Sequence, residues 1–295
     1  MQKTIGQIRP DEDRGTFIKN YRSSLGKVES SFPLTGGCSY EDLAWWLQLA
    51  LKGGVTGVLS NVAAYTYTFV PSPSTDDLKS ATFEWGDETQ AFQMNYGMVN
   101  SFEISGTTDS NWSFSAEIIG TDMAATTFTG SLADRSVEDI STYLTKLAIG
   151  ATGAVPATYM TGRFIGFKLS IKNALSRKYF ADGVAPTLGG MGRGKREIML
   201  EVTMEGNGAT VAERAVWEAG TKRVARITAT GSAISGASPA TNKTADIIVA
   251  GKWDAFSVGA RDTNTIFVGQ LVAEYDTVLG YELSAAVTNG LITLP

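Results

Sequence analysis

Apolar and polar residues alternate along much of the chain. Phe102 and Ile104 share one side of a predicted strand, with Ser101, Glu103 and Ser105 on the other; Phe114, Ala116 and Ile118 oppose Ser113, Ser115 and Glu117 in the same way. A period of two predicts a sheet with one packed and one wet face. Further strands are expected at 28–34, 65–70, 82–85, 164–171, 197–202, 224–230, 247–250 and 253–258, many bounded by Gly, Pro, Asn or Asp.

Helical spacing is confined to a few stretches. Ser39 starts the first, Asp42 stands at the third helical position, and Leu43, Trp46, Leu47, Ala50 and Leu51 fall on one face before Gly53-Gly54. A second helix is expected after Thr210, with Glu213 completing a capping box and Gly220 as the stop. A third is expected from Ser136, carrying Val137, Ile140, Leu144 and Leu147. Residues 1–27 are polar and charge-mixed, and read either as a free terminus or as an arm that orders against a neighbouring subunit.

The order strand, helix, strands, hairpin occurs twice, about 170 residues apart. The first hairpin lies at 99–119, and 268–275 with 281–290 is read as its repeat. The expected fold is therefore mainly β. Two tandem antiparallel β-sandwich or barrel domains, 1–125 and 162–295, each carry a flanking helix and are joined by a one-helix connector at 126–161.

Composition narrows the function. At 295 residues and 43% hydrophobic content the chain can build sizeable cores. A net charge of −5 argues against a nucleic-acid-binding surface, which is normally basic. One cysteine allows no intrachain disulfide, and the absence of histidine removes the usual general base and the commonest metal ligand. The N-terminal residues lack the apolar run of a signal peptide, and no membrane-length apolar segment occurs, so a soluble, intracellularly made product is expected.

Three features imitate chemistry. Gly189 to Lys195 has the spacing of a phosphate-binding loop, but Arg196 replaces the hydroxyl residue and a strand is expected next. Cys38 has no visible activating base. Glu84, Asp87, Glu103 and Glu117 offer no distinct glycosidase pair and read as solvated carboxylates. No cofactor or catalytic residue is expected. An enzyme with a deep polar pocket and a surface lectin or adhesin module remain the competing classes.

The run Tyr65 to Ser72 followed by Thr82 to Asp87, then Tyr96 to Ser105 with Phe114 to Gly120, is similar to the tail tube (major tail) proteins of long non-contractile-tailed bacteriophages. Trp45-Trp46-Leu47 and Ile165 to Asn173 extend the likeness over most of the chain. The resemblance implies the tail-tube β-sandwich, six such domains around a lumen, and rings stacked into the tube through which the genome leaves. It implies self-association, as three two-domain chains or alternatively six chains per ring. Other implied partners are a tape measure protein during assembly, terminator and distal tail proteins at the ends, and phage DNA in transit without specific binding. The resemblance further implies a virion component made in the host cytoplasm, with no membrane among its partners.

Two residue sets are candidates under that reading. Glu103 and Glu117, with Glu274 and Glu282 in the second copy, are candidates to face the lumen. The loop from Lys172 to Gly194, with Lys195 beyond it, supplies Arg177, Lys178, Val184, Leu188, Met191, Arg193 and Lys195 for ring stacking, opposite Asp11, Glu12, Asp13, Asp76 and Asp77.

Overall fold

The computed structural model describes residues 1–12, 14–75, 78–87, 89–130, 135–181 and 188–294. Strands β1 (Gln2–Ile8) and β2 (Ser24–Gly37) precede helix α1 (Tyr40–Ala50). There follow β3 (Val58–Asn61), β4 (Ala64–Phe69), β5 (Ala81–Gly86), the long β6 (Ala91–Thr107), β7 (Ser113–Gly120), β8 (Met123–Thr126) and β9 (Thr145–Ala151). The second half runs β10 (Phe164–Lys172), β11 (Leu175–Lys178), β12 (Gly190–Arg193), β13 (Glu197–Glu205) and α2 (Gly208–Glu218). It closes with β14 (Arg223–Ala233), the long β15 (Asn242–Arg261), β16 (Asn264–Ala273) and β17 (Leu283–Asn289). The fold is a mainly β, antiparallel sandwich, as expected.

One fifteen-stranded sheet passes through both halves, in the order β1-β2-β7-β6-β10-β13-β16-β15-β17-β4-β3. The long strands belong to two layers. The first part of β6 pairs with β5 and β8, and the second part with β7 and β10. The register breaks between Val99 and Ser101, and in β15 between Trp253 and Ala255. Gly97 and Gly251 sit just before these breaks. A Cβ on Gly97 would meet the Phe83 ring at 2.6 Å, and one on Gly251 the Val272 carbonyl oxygen at 2.0 Å, so both bends require the bare backbone.

Pairing registers reveal how the repeat is built. Ser39 and Asn207 are the N-caps of α1 and α2. Leu34 faces Ala116 as Val202 faces Gly269, and Phe32 faces Ile118 as Leu200 faces Leu271. Gln2 faces Ser31 as Ser170 faces Met199, which makes β1 the counterpart of the end of β10. The first copy thus runs β1-β2-β7-β6 across the sheet and the second β10-β13-β16-β15, with β10 joined to β6. By the same logic β5 matches β14 and β8 matches β17, each pair flanking the first part of its long strand.

This corrects the expected hairpin. Strands β16 and β17 do not pair; β15 lies between them, and the repeat of the 99–119 hairpin is β15–β16. The expected connector helix is also absent. Val137 and Leu144 are exposed, a single 3-10 turn covers Thr142–Leu144, and 145–151 forms β9 on the free edge of β14. Thr145 and Ile149 favour that extended form, and Leu147 is buried by it. Helix α2 starts earlier than expected. Asn207 accepts from the Ala209 and Thr210 amides, Thr210 returns the cap, and Glu213 is freed to pair with Arg223 in the interior.

Helix α1 sits in the core. Its Trp46 stacks on Phe102 with centroids 6.1 Å apart and lies 4.7 Å from Phe114, while Trp45 meets Phe83 at 6.1 Å. The other side of α1 is covered by β17, β15 and β4. Phe102, Ile104 and Ile118 are fully buried beneath it, as the alternation predicted.

Candidate functional site

The wide sheet has one face turned to this core and one turned away. On the outer face, rows of cross-strand neighbours continue through both copies. One row reads Gly37, Ser113, Ser105, Lys168, Glu201, Gln270 and Ala255; the next reads Thr35, Ser115, Glu103, Ser170, Met199 and Val272. A third joins Pro33, Glu117, Ser101, Lys172 and Glu197. The residues between them, such as Leu169, Ile171, Leu200 and Val202, point inward and are fully buried.

Polar groups on this face satisfy one another. Lys168 Nζ lies 2.8 Å from Glu103 Oε2, and Asn100 Nδ2 donates to Glu117 Oε2 at 3.0 Å. Gln270 Nε2 donates to Glu201 Oε2 at 3.0 Å, Asn264 Nδ2 to Glu205 Oε1 at 3.2 Å, and the Ser105 and Ser113 hydroxyls are 3.2 Å apart. The ion pair is half exposed and contributes at most about 1 kcal/mol. Its main effect is to neutralise Lys168; Lys172 remains on the face opposite Glu197, and the carboxylates of Glu117, Glu197, Glu201 and Glu205 outnumber it. Such a surface repels phosphates, which bind by charge to Lys and Arg.

The structure brings together only part of the expected set. Glu103 and Glu117 share the outer face. Glu274, beyond β16, pairs with Lys222 at 2.9 Å, and Glu282, before β17, pairs with Arg196 at 2.6 Å; neither lies on these rows. In the second copy Ser257 and Gln270 occupy the positions of Glu103 and Glu117, and the acidic side chains come from β13 instead. Glu197, Glu201 and Glu205 alternate there with Ile198, Leu200, Val202 and Met204. That alternation was the available signal.

The second set is scattered. Asp13, Asp76, Asp77 and Val184 lie outside the described residues. Asp11 is exposed, while Glu12 pairs with Arg14 and Arg22, each at 2.5 Å. The expected long loop is partly a hairpin, β11 on β12. Arg177 donates to the Ser30 carbonyl at 2.7 Å, and Leu188 is buried within its own chain. Lys178, Met191, Arg193 and Lys195 line an open cleft with residues 71–75, Tyr275 and Glu282.

Features that imitated chemistry have structural roles. Cys38 is buried, and burial first, then the charges of Asp42 and Asp139, push its thiol up to about 12. Gly190–Arg193 is a strand and leads into another strand, with no helix N-terminus to hold an anion. Among the described residues no group of carboxylates and thiols is placed to hold a metal ion, and no helix is long and apolar enough to cross a membrane.

No curated protein matches the sequence significantly. Residues 3–261 match the family described as phage tail tube protein. With a mainly β antiparallel sandwich and a match over most of its length, the chain belongs to the phage tail tube protein family.

Proposed function

We propose that this tail tube protein forms rings that stack into a tube, with the outer face of the wide sheet lining the channel through which the genome passes. The observation that carries the reading is the face itself: polar rows continuous through both copies, backed by a dry core, with carboxylates in excess. A wall of this kind presents hydrogen-bonding groups to water and little positive charge to passing phosphates. Two tube domains per chain fill a six-domain ring with three chains, giving pseudo-sixfold symmetry; a six-chain ring is the alternative.

Stacking draws on segments outside this face, the stretch between β1 and β2 with Asp11 and Glu12, and the β11–β12 hairpin with Lys178 and Arg193, followed by Lys195. Opposite charges there set register and encounter rate more than affinity. As a tube component the chain meets a tape measure protein during assembly and terminator and distal tail proteins at the tube ends, in the host cytoplasm. Electron microscopy of the purified protein tests the reading. End-on class averages are expected to show rings with true threefold and pseudo-sixfold symmetry; true sixfold symmetry with one chain per unit overturns the trimer, and a persistent monomer overturns the ring.

A further inference from the structure

We infer that Tyr96 of each chain seats in a small cavity at the opposite end of a chain in the next ring, so that one aromatic side chain anchors the stack. The inference rests on the stacked-ring reading and adds to it a residue and its socket. Tyr96 is an extra residue. Met98 faces Ile119 as Lys252 faces Val272, which matches Gly97 to Gly251. Just before these glycines, the Thr121 amide donates to the Asn95 carbonyl at 3.0 Å, where the Glu274 amide donates to that of Ala250 at 2.8 Å. Asn95 therefore takes the place of Ala250, and Tyr96 has no counterpart. The adjoining strands agree. Ala81 faces Gly97 and Phe83 faces Met94, with a break between them, whereas Arg223, Val224 and Ala225 pair in step with Gly251, Ala250 and Val249.

The inserted residue is strained and exposed. Its φ is +54°, in a region that a bulky residue rarely adopts. Tyr96 is 44% exposed, against 2% for Ala250. Its neighbour fixes it there: the Thr121 hydroxyl also donates to the Asn95 carbonyl, at 2.7 Å, and Gln93 Nε2 donates to Asn95 Oδ1 at 2.7 Å. The bend itself does not require the insertion, because β15 turns between the layers at Gly251 with no residue of positive φ. A strained aromatic that the fold can do without, left in solvent, points to a contact outside the chain.

The partner surface lies at the other end of the molecule. Tyr96 stands at the end of the wide sheet from which the β11–β12 hairpin springs. There the Leu175 amide donates to Asn100 Oδ1 at 3.0 Å, and Arg177 reaches Ser30, which faces Gly120. At the opposite end, where β6 and β13 finish and β15 turns into β16, lies a cavity of about 200 Å³. Thr108, Ile165, Glu205, Arg261, Asn264 and Ile266 line it. It is smaller than the roughly 300–1,000 Å³ of a small-molecule pocket, and suits a single side chain. Ile165 and Ile266 offer apolar walls to a ring, and Glu205 and Asn264, joined at 3.2 Å, offer partners to a hydroxyl. Head-to-tail stacking brings these two ends together, and a contact between different surfaces of identical chains repeats without closing.

The test uses the full chain with p-benzoylphenylalanine, a photocrosslinker, in place of Tyr96, irradiated in assembled tubes. Mass spectrometry is expected to find position 96 joined to peptides carrying Thr108, Ile165 or Ile266. The absence of that link, or a link to any other peptide, overturns the socket. Tyr96→Gly is expected to keep rings, to unfold at no lower a temperature than wild type, and to need at least about tenfold more protein to form tubes. Tubes of this variant at the wild-type concentration overturn the anchor and leave the ring reading intact. A fall in its unfolding temperature assigns Tyr96 to the stability of its own chain and overturns the anchor as well. Wild-type protein that forms no stacked rings overturns the stacking reading and the inference with it.

Discussion

Asn173 donates its side-chain amide to the Ala50 carbonyl oxygen at 2.9 Å and to that of Val99 at 3.0 Å, and all of it is buried. Ala50 is the last residue of α1, whose carbonyl has no partner within the helix. At the other end Asn289 donates to the Tyr40 carbonyl at 3.0 Å. Two asparagines from the second half therefore hold both ends of the first helix.

Replacing Asn173 by Leu leaves two buried carbonyls unpaired, at about 1–3 kcal/mol each. The denaturation midpoint is expected to fall sharply. Asn173→Asp is expected to fall further, because a carboxylate cannot donate and would face two acceptors. A midpoint within error of wild type for both variants contradicts the role.

On the outer face, replacing Glu103 and Glu117 by Lys is expected to leave tubes intact in micrographs. The new side chain at 103 meets Lys168, and a like-charge cross-strand pair costs up to about 1 kcal/mol, screened over roughly 8 Å at physiological salt. DNA ejection is expected to slow or stall, because lysines offer phosphates a counter-charge. Ejection at the wild-type rate through well-formed tubes places this face on the outside.

Acid stability is expected to depend on Asp276. The Leu279 amide, against the opposing effect of burial and together with the Gly153 and Val278 amides and the Lys222 charge, holds its carboxyl below the usual range. A depressed folded value contributes stability that is complete above the unfolded pKa of about 3.9 and lost as pH falls through the folded one. Asp276→Ala is expected to be less stable at neutral pH and to show a flatter loss of stability below about pH 4. Parallel acid titrations of the two proteins would exclude the effect.

Cys38 gives the opposite limb. Its raised thiol favours the folded state fully below the unfolded pKa near 8.5, and that stability is lost as pH rises toward about 12. Thiol reagents are expected to be inert toward the native protein at pH 8 and to label it in denaturant. Cys38→Ala is expected to flatten the decline in stability above pH 9; rapid labelling of native protein would show the thiol to be accessible.

Much of the fold was legible because alternation survives without tertiary information. Ser101 to Ser105 and Ser113 to Ile118 declare their faces residue by residue, and burial agrees at Phe102, Ile104, Ala116 and Ile118. Pairing was less legible. The turn between Asp276 and Gly280 resembles a hairpin loop, but β15 inserts between the strands it connects. At 137–147 the apolar spacing fits a helix, and the open edge of β14 offered those residues a strand partner that local spacing could not announce.

The sequence by itself determined which side of each strand is dry, because successive side chains point to opposite faces whatever the strand pairs with. It also set the start of the first helix, through the capping side chain of Ser39, whereas the second helix is capped by Asn207, ahead of the expected Thr210. Only the tertiary structure decided which acids share a surface. Glu201 and Glu205 join Glu103 and Glu117, while Glu274 and Glu282 fall elsewhere. That choice rests on the register between strands far apart in the chain, where a slip of one residue exchanges the two faces, and it is settled only when the whole core closes.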